Sequence, residues 1–285
     1  MKFLNLGCGT RYVKDPLWIN IDISPQNPDV VKHNIIKNIP FEDNSVDLVY
    51  HSHMLEHLPK SAAEPFIHEC FRVLKPGGIL RIAVPDLEQI AIHYLSALNE
   101  GLQDPASAEK KANYDWMMLE MFDQTVRTSS GGEMLKFLRQ NVVSNKTFIL
   151  ERCGSEVENL FGKPVSRASS GDQASVSLLR KIFRFVKNPD FRKDVLLKRL
   201  LKEDYELLPV VNFRKRGEIH QWMYDRFSLS HLLKKQGGQD ITQQTAFTSH
   251  YPEWKKFNLD GSAEGKVHKP DSLFMEARKA GTTVS

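Results

Sequence analysis

The apolar run KFLNL (2–6) ends directly in Gly7-Cys8-Gly9, and only TRYVKDPL (10–17) separates that turn from the next apolar run, WINIDI (18–23). Gly7 and Gly9 permit positive φ and let a ligand approach the main chain where a Cβ would otherwise stand. A helical crossover between parallel strands usually takes at least about ten to twelve residues. The first helix of an alternating α/β chain is therefore expected to be one turn or absent. This argues against a dinucleotide oxidoreductase, whose fingerprint needs a third glycine and a full helix, because position 12 is Tyr.

Further short β-rich runs follow at DVVKHNI (29–35), VDLVYHS (46–52) and ILRIAVP (79–85). Between the last two, Phe66, Cys70, Phe71, Val73 and Leu74 recur at helical spacing, predicting an amphipathic helix over 62–74 that Pro76-Gly77-Gly78 ends. From 87 to 217 the pattern is helical, at 87–99, 107–125, 132–141, 175–187 and 191–203, with a Ser/Gly-rich break at 166–175. A helix at 225–238 and strands at 241–249 and 272–279 close the chain. The expected fold is α/β: a Rossmann-like, doubly wound, mostly parallel seven-stranded sheet with a helical insertion after the fifth strand. The core is expected at 1–87 and 218–285, and the insertion, a lid that selects substrate, at 88–217.

The chain has 285 residues and a formal charge of +4, too slight to imply a nucleic-acid partner. Cys8, Cys70 and Cys153 lack the paired spacing of a zinc site or a disulfide framework, so free thiols and no metal are expected. No run approaches a membrane span, and MKFLNLGCGT is too short an apolar lead for a signal peptide, so the expected location is cytoplasmic.

The series LNLGCGT, NIDIS, IPFEDNSVDLVYHSHMLEHLP and FRVLKPGGILRIAVPD resembles the class I S-adenosylmethionine-dependent methyltransferases, over about 1–87 and weakly over 218–285. The resemblance implies S-adenosylmethionine as cofactor. It places Gly7, Cys8 and Gly9 at the amino-acid part of that cofactor and Asp22 at the ribose. Asn34 stands where the family often has Asp beside the adenine, with Ile35 packing on the ring. His51 and Ser52 fall near the methionine portion and the transferable methyl. With no full first helix to help hold the cofactor's carboxylate, Arg11 or backbone amides are expected to compensate.

For a hydroxyl acceptor, the general-base candidates near the strand ends are His57 and Asp86, then His51, with His53 read as a helix-start residue. The acceptor implied by analogy is a small molecule or a saccharide, lipid-linked in one version, and the reaction an O-methylation. Arg216, His220, Trp222 and Tyr224 gather where the chain returns to the core; Trp222 reads as core. Residues 180–202 carry nine Lys/Arg against Asp190 and Asp194, a local +7 on amphipathic segments that suits phosphates or peripheral contact with an anionic membrane. The alternative reading is a non-catalytic binding or scaffold protein that keeps the fold.

Overall fold

The computed structural model describes residues 1–163, 187–215 and 217–281. The Ser/Gly-rich break, Arg216 and nearly all of the helix expected at 175–187 lie outside that range. Seven strands form one sheet: β1 (Phe3–Leu6), β2 (Trp18–Asp22), β3 (Val30–Lys32), β4 (Val46–Ser52), β5 (Leu74–Pro85), β6 (Gly238–Gln244) and β7 (Ser272–Lys279), in the order β3-β2-β1-β4-β5-β7-β6. β1 to β5 pair in parallel, whereas β7 is antiparallel to both β5 and β6. Every residue of β1 is buried, as an apolar strand in the middle of a covered sheet must be.

One sheet face is covered by α1 (Lys60–Val73) and by α8 (Arg226–Lys235). Phe66, Ile67, Cys70 and Phe71 of α1 and Leu229, Leu232 and Leu233 of α8 pack on Leu4, Leu6, Val49 and Ile82. Asp225 starts α8 with a capping box, its carboxylate accepting from Ser228 N at 2.7 Å. α1 ends at Val73, one residue before the expected limit, because the main chain turns extended at Leu74. The Lys75–Gly78 stretch then sits in an irregular part of β5.

The other face reflects the short β1–β2 connection. No helix lies between these strands, as expected. Trp254, Phe257 and Leu259, from the segment joining β6 to β7, pack instead on Phe3, Trp18, Leu48 and Tyr50. The ring contacts are mostly edge to face, with Trp18 and Phe257 centroids 5.1 Å apart. Arg81 ties this segment down: wholly buried, it bonds Asp260 and Glu276 at 2.8 Å and donates to the carbonyls of Thr245 and Thr248 at 2.7 and 2.8 Å.

After β5 come α2 (Leu87–Gln103), α3 (Ala108–Val126), α4 (Gly132–Leu138), α5 (Lys146–Cys153), α6 (Pro189–Leu201) and α7 (Leu207–Lys215). Ile90, Trp116, Met117, Leu138 and Ile149 of α2 to α5 make a hydrophobic cluster separate from those on the sheet. α6 carries Arg192, Lys193, Lys198 and Arg199 of the basic run, with Leu196 and Leu200 exposed. The pattern missed α5 and α7, and β6 begins earlier than the strand expected at 241–249. Among the described residues no helix is long and apolar enough to cross a membrane.

Candidate functional site

The carboxyl ends of β1 and β4 open on a cavity of about 260 Å³ floored by Gly7, Cys8 and Gly9 and flanked by Arg11, Ser52 and His53. The glycine turn is left-handed, with φ of +64° at Gly7 and +54° at Gly9. A Cβ on Gly7 would stand 3.0 Å from Met54 Cγ, whereas one on Gly9 would meet nothing within 4 Å. Asp22, ending β2, accepts from Gly9 N at 2.9 Å through Oδ2 and from Ser24 N at 2.8 Å through Oδ1. A carboxylate has about four acceptor positions, so about two remain for a ligand. Arg11 pairs with Glu156, and Lys269 lies 3.7 Å from the same carboxylate. Burial, and next the Asp22 charge, push the Cys8 thiol up to about 11, so it is an uncharged part of the floor.

A second cavity of about 360 Å³ adjoins the first and shares His53, Glu156 and Lys269 with it. Its wall includes Glu56 and His57 from the 3-10 helix Leu55–His57, His220 from the returning chain, and Asp271 just before β7. Gln124 and Arg127 of the α3 end also line it. Backbone bonds lace these segments together: His220 N donates to Gln124 O at 2.8 Å, and Gln221 N to Glu56 O at 2.7 Å.

The second cavity is rich in groups shifted by burial. Glu56 is fully buried, neither carboxylate oxygen has a hydrogen-bond partner, and burial raises its pKa to about 7. His53 Nδ1 stands 3.2 Å from Glu56 Oε1 without hydrogen-bond geometry. Asp271 Oδ1 is likewise unpartnered, and burial raises that carboxyl to about 7. His220 is held neutral by burial, its pKa lowered to about 2. His53 joins the two cavities and is itself strained, with φ of +49°, and its Nε2 lies 2.8 Å from Ser272 Oγ. Left-handed backbone at a residue with a Cβ costs about 1–2 kcal/mol, which the surrounding contacts of His53 must offset.

The structure therefore gathers Gly7, Cys8, Gly9 and Ser52 around the first cavity and sets Asp22 on its glycine turn. His57 stands in the second cavity. Asn34 and Ile35 line neither: Asn34 Oδ1 accepts from Ile36 N at 3.1 Å in a local turn, and Ile35 belongs to the core. Two base candidates are corrected. His51 faces α1, edge-on to Phe66 with centroids 5.3 Å apart, wholly buried and kept neutral with a pKa of about 3 by burial. It follows Tyr50 and precedes Ser52, so pleat alternation aims it at the opposite sheet face from the cavity. Asp86 is the N-cap of α2, its Oδ1 accepting from Glu88 N at 3.0 Å and Gln89 N at 3.3 Å. Trp222 is also not core: it is 40% exposed, with Lys60 Nζ 4.4 Å from its ring centroid.

Glu56 and Asp271 are the site groups that sequence reading did not name; in sequence His53 reads as a helix-start residue and His220 only as part of the return segment. Glu56 sits inside the EHL series itself. His220 stood out at the return segment, but nothing local in sequence links it to residue 57.

Residues 4–82 match the family described as a methyltransferase domain. A probable S-adenosylmethionine-dependent methyltransferase of Mycolicibacterium smegmatis is 39% identical over 98 residues, 29% of this chain and 37% of that protein. An uncharacterised protein of Haemophilus influenzae is 49% identical over 51 residues, 18% of this chain and 20% of its own length. The matched stretch thus spans well under half of each relative. Among solved structures, an S-adenosylmethionine-dependent methyltransferase of Thermotoga maritima, described as a possible histamine N-methyltransferase, aligns over 98% of this chain and 82% of that one, at 12% identity and a TM-score of 0.40. A Haloferax volcanii complex of the Trm112 activator with a methyltransferase aligns over 98% and 82%, at 11% identity and a TM-score of 0.39. These two overlaps are too loose to carry any argument about activity.

Proposed function

Residues 4–82 form a methyltransferase domain, and from that premise we propose that this chain transfers a methyl group from S-adenosylmethionine to a hydroxyl of a small polar acceptor, a saccharide by preference. The observation that carries this reading is the junction of the two cavities at His53, where a glycine-floored space meets one lined with acid and base groups.

The glycine cradle fits the cofactor. A Cβ at Gly9 would occupy open space in the cavity, which is room a ligand can use. Gly7, Cys8 and Gly9 would hold the amino-acid end, with Arg11 and Lys269 supplying positive charge near its carboxylate. Asp22 would take the ribose hydroxyls on its free lone pairs, and the adenine end would extend beyond the first cavity, toward Asn34 and Ile35. When bound, the cofactor supplies a methyl group already activated on a sulfonium. The protein's work is then alignment and exclusion of water.

The acceptor's proton needs a destination if its nucleophile is a hydroxyl. Asp271 suits that role: its Oδ1 is unpartnered, it lines the second cavity, and burial sets its pKa at about 7, within reach of neutral solution. Gln124 and Arg127, from the region 88–217, add hydrogen-bonding groups at the same wall, which suits a polyhydroxyl compound. In this reading 1–87 with 218–285 holds the cofactor, and 88–217 selects the acceptor.

The test is transfer of a labelled methyl group to a panel of glycosides, amines and carbon acids. Label in a methyl ether, abolished in Asp271→Asn with cofactor affinity kept, is expected. Label confined to amines or carbon would overturn the hydroxyl assignment.

A further inference from the structure

We propose that Glu56, His57 and His220 together bind a divalent transition-metal cation in the wall of the acceptor cavity. One ligating atom from each, a carboxylate oxygen and two imidazole nitrogens, lies within 4.8 Å of the other two. Two imidazoles and one carboxylate suit zinc, cobalt or ferrous iron, whereas magnesium and calcium favour oxygen ligands alone. Three donors about 2.1 Å from a tetrahedral ion stand about 3.4 Å apart, so the side chains need draw in by no more than about 1.4 Å on binding.

Two further observations point to a cation. Glu56 is 0% exposed and neither of its oxygens has a hydrogen-bond partner, His53 Nδ1 standing 3.2 Å from Oε1 outside hydrogen-bond geometry, although buried carboxylates are ordinarily hydrogen-bonded or metal-bound. His57 Nδ1 lies 3.0 Å from the carbonyl of Ile219, which can only accept, so Nδ1 carries a hydrogen and Nε2 is the ring nitrogen left to ligate. A ring N–H held by a main-chain carbonyl is the arrangement that orients metal-ligating histidines. The two imidazoles are already together, with centroids 4.9 Å apart. Their segments are tied by Gln221, whose Nε2 donates to His57 O at 2.8 Å.

Three protein donors leave at least one coordination position open, and all three residues line the 360 Å³ cavity. A water or an acceptor oxygen can take that position. This role for the cation rests on the methyl-transfer reading; its binding does not. The absence of a cysteine pair, which led the sequence to suggest no metal, has no bearing on a site made of Glu and His.

The full chain, stripped with a chelator, is to be titrated with cobalt(II) and then zinc(II), following cobalt's visible absorption and the metal retained after desalting. The wild type is expected to retain one equivalent of cobalt, which zinc displaces. Glu56→Gln, nearly unchanged in volume, should bind more than about 100-fold more weakly, since loss of an outer-shell partner alone costs up to about that factor. Glu218→Gln, in the same cavity but outside the donor set, should bind as the wild type. Circular dichroism checks that each variant is folded. No retained metal in the wild type, or wild-type affinity in Glu56→Gln, would overturn the site. Cofactor affinity, measured separately on metal-free chain, tells that outcome apart from failure of the methyl-transfer reading.

Discussion

Two buried polar clusters occupy the same protein and are built on opposite rules. Around Arg81 every strong group is paired: its guanidinium meets Asp260 and Glu276, Tyr50 donates to Asp260 at 2.6 Å, and Ser249 Oγ and His250 N donate to Glu276 at 2.6 and 2.7 Å. In the second cavity the oxygens of Glu56 and Oδ1 of Asp271 have no hydrogen-bond partner. A satisfied network is a structural tie, here holding the β6–β7 segment where helices would otherwise cover the sheet. Unpartnered buried groups carry a desolvation cost that folding alone does not explain. On the proposed function, the first cluster holds the fold and the second takes part in the chemistry.

The largest effect should come from breaking the paired cluster. Arg81→Met leaves two buried carboxylates without their cation and should cost about 3–5 kcal/mol in urea unfolding. A loss below about 1 kcal/mol would mean that the network is not a tie.

Next comes the unpartnered cluster, where removing a charge should have the opposite sign. Asp271 has a folded pKa of about 7 against an ordinary 3.8. A raised carboxyl favours its neutral form, so its contribution is fully present below about pH 4 and is lost as pH rises through 7. The wild type should lose up to about 4 kcal/mol across that window from this group. Asp271→Asn should flatten the slope and be at least as stable at pH 8. Parallel pH profiles for the two proteins would contradict the assignment.

Smaller still is Gly9→Ala, which places a Cβ at φ of +54°. It should cost about 1–2 kcal/mol of stability and obstruct cofactor binding, which calorimetry reads separately. Smallest is Lys60→Met, at the exposed Trp222 ring. It should change stability by about 0.5–1 kcal/mol and leave cofactor binding alone.

Much of the sheet was legible because apolar runs bounded by turn residues fix short buried strands. β6 was misplaced because GQDITQQ is polar and half exposed, with no alternation to read. The aromatic cover from Trp254 and Phe257 was not foreseen, since nothing local says which face a long connection will fold over. Gly7, Gly9 and Asp22 were readable as a local motif. Two errors had legible causes: Asp86-Leu87-Glu88-Gln89 carries an N-cap signal with Gln at the third helical position, and strand alternation already set His51 opposite Tyr50 and Ser52. The grouping of Glu56 and His57 with His220 and Asp271 could not be read, because the fold alone brings these distant segments together.

The central claim is that the glycine cradle is a cofactor site anchored by Asp22. Isothermal calorimetry with S-adenosylhomocysteine tests it most directly. The wild type should bind one equivalent, and Asp22→Ala should bind about 100-fold more weakly, as loss of charge-assisted bonds to two ribose hydroxyls requires. No heat from the wild type at millimolar ligand, or equal affinity in the variant, would contradict it.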